Sequence, residues 1–251
     1  MEFDKKIVER FKQLVVKDTS DGFMRLKLPK HIAIVTKGKS VWAKKHNAPI
    51  EEAYARSYAI IRSTIISAIR LDIPILTFYI LSTNMKDLEK FSILMDSLQK
   101  FFEELADEEF IQKYHAKITV FGKWYDLPGR VVDAIKSAVD KTKEHDRFFL
   151  NFCINYSGQE EIVDAIKLIT RQVSAEKLDV DAITVDTVKE SIYSSYFLPP
   201  DLIIVNGSKK ITNGLLLWDS TRSQIYFTNK LWPDFDKTEF MDAIKEFQKG
   251  R

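Results

Sequence analysis

Short, nearly unbroken apolar runs recur along this chain, and longer segments of helical periodicity lie between them. Four of the runs are Ile32 to Val35, Pro74 to Leu81, Phe148 to Ile154 and Leu202 to Val205. A strand with one wet face alternates apolar and polar residues, whereas an unbroken run is buried on both faces. Lys117 to Phe121 and Ile225 to Thr228 read as two further strands. Helical spacing fills Asn47–Leu71, Leu88–Ala106, Val131–Lys143, Gln159–Val173, Thr184–Ser195 and Lys237–Lys249. Strands alternating with helices predict an α/β fold: a single domain whose mostly parallel central sheet of about six strands is covered by helices.

Nothing in the composition divides the chain. It has 251 residues, 45% of them hydrophobic, enough for one sizeable core. No linker, composition break or internal repeat appears, so residues 1–251 read as one domain. Residues 1–20 form its N-terminal amphipathic helix, with Phe3, Ile7, Val8, Phe11, Leu14 and Val15 on one face. A net charge of +2 gives no reason to expect a nucleic-acid partner. The single cysteine, Cys153, sits in an apolar run and reads as a core thiol; a reducing, cytoplasmic setting is expected. Glu2, Asp4 and Glu9 interrupt any signal-peptide pattern. The apolar run Ile73 to Leu81 falls short of the roughly 18 residues of a membrane span, so peripheral contact is the form of membrane association to expect.

In open α/β sheets, ligands are held where loops leave the carboxyl ends of strands. The loop after Ile32–Val35 carries Lys37, Gly38 and Lys39 and no carboxylate. These three residues, with Gly207 in the loop after Leu202–Val205, are the candidate anion contacts. No Walker pattern, GxGxxG or nucleophile elbow is present. His31, His46, His115 and His145 show no zinc spacing.

Several motifs together resemble the cis-prenyltransferases, the undecaprenyl and dehydrodolichyl diphosphate synthases. LPKHIAIV leads into a loop closed by Trp42-Ala43-Lys44-Lys45, and Asn151 to Gly158 is similar to the family's LNxxxNYGG. Asp201-Leu202-Ile203-Ile204 resembles its DLxIRTGG, and Leu216-Leu217-Trp218 and Tyr226-Phe227-Thr228 its FLLW and YFT. Leu231 to Phe235 reads LWPDF, as the family does. The resemblance runs from about Leu28 to the terminal helix and implies the cis-prenyltransferase fold.

The departures fall on the groups that, by the resemblance, hold Mg²⁺ and diphosphate. The family's MDGNGRWA aligns with Thr36 to Ala43: its metal-binding aspartate is Lys37, its asparagine Lys39 and its phosphate-binding arginine Val41. Further arginine positions hold Ile50, Gln159, Val205 and Ile211; the Gly-His pair is Ala53-Tyr54. Lys209 stands at a glutamate, and Gln224 at the metal-binding glutamate. Two diphosphates in an apolar cleft need metal and guanidinium clamps, and a lysine at the aspartate position repels the metal. The resemblance therefore implies a non-catalytic subunit of the Nogo-B receptor type, with no catalytic residue and no metal of its own. Mg²⁺ is expected on an Asp-containing homologous partner, in a heterodimer or higher assembly. Such accessory subunits end in Arg-x-Gly; here Gln248 precedes Lys249-Gly250, so help to the partner is expected through packing, stability or membrane docking. Trp218, Tyr226, Phe227, Trp232 and Phe235 are the candidate interface residues. Two alternatives remain open: an active transferase of metal-poor chemistry, and a stand-alone binder of a prenyl chain, prenyl phosphate or prenyl diphosphate.

Overall fold

The computed structural model describes residues 28–83 and 88–250. The expected helix of residues 1–20 lies outside them. Within them, six strands form one sheet: β1 (His31–Val35), β2 (Ile75–Tyr79), β3 (Ala116–Phe121), β4 (Phe148–Cys153), β5 (Leu202–Asn206) and β6 (Gln224–Thr228). They run in the order β3-β4-β2-β1-β5-β6, and every pairing is parallel.

The unbroken run of β1 is explained by its position. Ile32 and Ile34 point into the core on one face, Ala33 and Val35 into the core on the other, and all five residues of the strand are buried. The larger face is covered by α2 (Ile50–Arg70), α3 (Leu88–Leu105), α5 (Gly129–Lys141) and α8 (Lys237–Lys249). Phe101, Phe102 and Phe152 interlock there edge to face, with ring centroids 5.2–5.7 Å apart. The chain moves from β1 to β2, passes to β3 at the edge, returns to place β4 between β2 and β3, then crosses back to place β5 on the other flank of β1. Connections diverge at β1, and a crevice opens outside its carboxyl end.

Element boundaries differ from expectation where backbone geometry intervenes. The segment from Lys39 to Leu71 is two helices, α1 (Lys39–His46) and α2, not one beginning at Asn47. Asn47 adopts a left-handed φ of 50° and caps α1 through its N–H, and Pro49 then opens α2. A five-residue helix, α4 (Glu109–Lys113), appears where none was expected. The expected helix Thr184–Ser195 is α7 (Val185–Ser191), opened by a capping box between Thr184 and Thr187. The helix after β4 is α6 (Gly158–Ser174).

Candidate functional site

The loop leaving β1 is tied down on both sides. Thr36 is buried, and its hydroxyl donates to the Tyr79 carbonyl of β2 at 2.7 Å. Gly38 has φ +103°, and a Cβ there would lie 2.7 Å from Leu231 Cδ2. Glycine is thus required twice over, by conformation and by close approach. The LWPDF turn holds this loop from behind. Trp232 N–H donates to the Lys37 carbonyl at 2.8 Å, and Trp42 Nε1 donates to Asp234 Oδ1 at 2.7 Å. Trp42 stacks on His46, and the Arg56 guanidinium lies 5.0 Å above its ring.

Three of the four candidate anion contacts meet the crevice directly, and the fourth adjoins it. Lys37, Gly38 and Lys39 line a cavity of about 280 Å³ at the ends of β1 and β2. A Cβ on Gly207, which has φ +92°, would lie 3.9 Å from Lys37 Cβ. Both ammonium groups are already bonded to the protein. Lys37 Nζ donates to the Ile211 carbonyl at 2.8 Å; Lys39 Nζ donates to the Thr36 carbonyl at 2.7 Å and its hydroxyl at 3.2 Å. Burial lowers Lys39 to about 8 and also lowers Lys37, with nearby Lys209 adding repulsion.

Behind the lysines Val35, Tyr79, Leu81 and Leu94 give the cavity an apolar side, with Ser40, Ser82 and Asn213 completing its lining. Tyr54 is buried and lines it, whereas Val41 is 59% exposed on its rim. No acidic side chain and no arginine occurs among its described lining residues. Mg²⁺ requires anionic or carbonyl oxygens, so two ammonium groups do not fit it. Among the described residues no group of three or more His, Cys, Asp or Glu is placed to hold a metal. Gln224 is not brought to the crevice. It opens β6 at the opposite end of the sheet, where its amide donates to the Glu246 carbonyl at 3.2 Å.

The interface candidates divide. Trp232 and Phe235 are buried and stack on each other with centroids 5.0 Å apart; they are core residues, contrary to the interface expectation. The Trp232 indole also donates to the Ser57 carbonyl, because a buried N–H needs an acceptor. Tyr226 is half-buried with its hydroxyl bonded to Glu239, and Trp218 is half-buried. Phe227 is exposed on the outermost strand, as is Ile225 two residues earlier.

Sequence reasoning missed the polar ties of the core. Asp201 Oδ2 accepts the N–H groups of Lys30 and His31, which anchors the start of β1. The buried His31 ring bridges the Leu198 carbonyl at 2.6 Å and Thr77 Oγ1 at 2.8 Å; Asn151 donates to the same hydroxyl. Burial holds His31 at about 4, so it is neutral. Cys153 is a buried core thiol, as expected.

A doubly covered parallel sheet with a cationic, partly apolar crevice at its switch point defines the class, and the family model confirms it. The model described as "Putative undecaprenyl diphosphate synthase" matches residues 35–251, and the chain belongs to the cis-prenyltransferase family. Among its relatives, the isoprenyl transferase of Thermotoga maritima is 32% identical over 229 residues, covering 89% of this chain and 95% of that one. The tritrans,polycis-undecaprenyl-diphosphate synthase (geranylgeranyl-diphosphate specific) of Methanocaldococcus jannaschii is 33% identical over 227 residues, covering 88% and 81%. The crystal structure of lavandulyl diphosphate synthase from Lavandula x intermedia, in complex with dimethylallyl diphosphate, superposes with a TM-score of 0.84 at 25% identity, covering 88% of this chain and 95% of that one. Among the described residues no helix is long and apolar enough to cross a membrane.

Proposed function

We propose that this chain is a non-catalytic subunit of a heteromeric cis-prenyltransferase that makes long-chain polyprenyl diphosphate, a glycosyl-carrier lipid precursor. One observation carries the reading: the crevice outside β1 presents Lys37 and Lys39 and no carboxylate. Prenyl transfer breaks an allylic C–O bond, and the departing diphosphate must be neutralised as it leaves. Two ammonium groups already bonded to protein carbonyls do not replace a metal ion and a set of arginines. The Asp-containing homologous partner supplies Mg²⁺ and the reacting groups. This chain supplies a folded surface, in a cytoplasmic setting with peripheral membrane contact. Ile225 and Phe227, the exposed apolar side chains of the edge strand β6, are the proposed centre of that surface.

Purified chain is assayed with allylic and isopentenyl diphosphates and Mg²⁺, alone and mixed with an Asp-containing homologue from the same source. Polyprenyl product from the mixture, above that of the homologue alone, is the expected result. Product from this chain alone, or no association and no effect in the mixture, overturns the reading. A second reading, a stand-alone prenyl phosphate binder, is favoured by the apolar side behind the two lysines. It predicts ligand uptake without product or partner.

A further inference from the structure

On the smaller face of the sheet, a set of ionisable groups is sealed where α6, α7 and residues 215–222 meet the end of β4. Glu161, in the first turn of α6, is fully buried. Its Oε2 accepts the Tyr156 hydroxyl at 2.6 Å, and that hydroxyl accepts the Leu216 N–H at 3.1 Å. The Tyr79 hydroxyl of β2 donates to the Tyr156 carbonyl at 3.0 Å. Beside them Asp219, also buried, accepts Lys189 Nζ of α7 at 2.7 Å and the Ser194 hydroxyl at 2.6 Å. Lys189 Nζ further donates to the Ser194 carbonyl at 3.0 Å. The buried Cys153 thiol of β4 and Tyr193, whose hydroxyl is bonded to Asp164, lie within electrostatic reach of Glu161. Glu161 Oε1 is buried with no hydrogen bond of ordinary geometry, and the Ser194 backbone N–H is the further donor acting on this carboxyl group.

The cluster thus holds two carboxyl groups and one ammonium. With both acids ionised it carries a net negative charge on two buried carboxylates, and only the Tyr156 hydroxyl and the Ser194 N–H offset the charge of Glu161 directly. With Glu161 protonated, Asp219 and Lys189 balance each other. Burial, reinforced by Asp219, raises Glu161 above the ordinary carboxylate range; the Tyr156 bond, the Ser194 backbone N–H and Lys189 oppose the shift. The elements closing over the cluster are lightly held. α7 has seven residues, and Val185 at its start is 70% exposed.

We propose that the proton on Glu161 is a latch: the neutral acid keeps α7 and residues 215–222 closed over β4, and its loss to solvent releases them. Ionised Glu161 moves toward water, and the Tyr156–Leu216 bond that ties residues 215–222 to the cluster is given up. The latch belongs to this chain alone and does not depend on the subunit reading.

Hydrogen exchange of the full chain, corrected for the intrinsic pH dependence of exchange, is followed from about pH 5 to about pH 8. Amides of residues 186–196 and 215–222 are expected to lose protection with rising pH, by up to about tenfold per unit, while those of β1 and β2 do not. Glu161→Gln mimics the neutral acid, and its protection is expected to be flat. Infrared spectra of the unsubstituted chain are expected to show a carboxylic-acid carbonyl band that fades as pH rises and is absent from Glu161→Gln. Asp219→Asn removes the repulsion and frees Lys189, so the band fades at lower pH. The same slope in Glu161→Gln as in the parent chain overturns the proposal. So does the absence of the band at every pH, or a band unmoved by Asp219→Asn; these spectra decide the matter even if Glu161→Gln does not fold.

Discussion

The indole of Trp42 donates to the carboxylate of Asp234 at 2.7 Å, across 192 positions of sequence. This bond joins α1, which frames the crevice, to the LWPDF turn, which has no side chain in the cavity lining. The motif shared most literally with the cis-prenyltransferases therefore acts here as a brace for the loop.

Removing the brace is expected to weaken the fold without touching the cavity. Asp234→Ala leaves the indole N–H short of its charged acceptor and costs about 1–3 kcal/mol in urea unfolding, with Asp234→Asn costing less. Trp232→Ala opens a void in the core and costs about 3–5 kcal/mol.

Phe227 is tested through association. It is 38% exposed on the outer strand, so Phe227→Asp lowers unfolding free energy by about 1–2 kcal/mol through lost apolar burial and strand propensity, and the fold persists. If β6 carries the partner surface, the same substitution weakens association with the Asp-containing homologue at least tenfold in sedimentation or co-purification. A loss of fold together with association would place Phe227 in the core instead.

His31 makes stability fall in mild acid. The ring titrates near 6.5 when unfolded and at about 4 in the fold. Between those values the unfolded chain binds the extra proton, so stability is full above about pH 6.5 and drains away as pH falls toward 4. The full span amounts to about 3 kcal/mol. His31→Gln is expected to start less stable at neutral pH and to show a flatter profile over this range, read from urea midpoints at each pH.

Two glycines give a paired test of packing. A Cβ on Gly158 would lie 2.1 Å from the Gly214 carbonyl oxygen, whereas one on Gly129 meets nothing within 4 Å. Gly158→Ala is expected to cost roughly 2–3 kcal/mol by pushing residues 214–217 off α6. Gly129→Ala, at the start of α5, is expected to be neutral or to stabilise by about 0.5 kcal/mol. Thermal melts of the two variants side by side decide it.

Much of the fold was legible because its signals are local. Ile32–Val35 and Leu202–Val205 read as strands since burial on both faces leaves an unbroken apolar run. The grouping of Lys37, Gly38 and Lys39 with Gly207 was legible through the rule that loops at strand carboxyl ends converge. What escaped were features set by distant partners. Trp232 and Phe235 stand among the interface candidates in sequence, but Ser57 and the core around Phe78 claim Trp232, and Phe235 stacks on its ring. Glu161 looks like an ordinary first-turn acid of a helix, and only Tyr156 and Asp219 make it a buried one.

The sequence alone determined the α/β class, the single domain, the family, and the two lysines in the loop after β1, because each of these is a matter of periodicity or residue identity. Tertiary structure decided which way Lys37 and Lys39 are bonded, that Gln224 lies at the far end of the sheet, and that Glu161 is buried near the Asp219–Lys189 ion pair. Those outcomes depend on which groups the packed chain brings together and shuts away from water, and no local pattern encodes that.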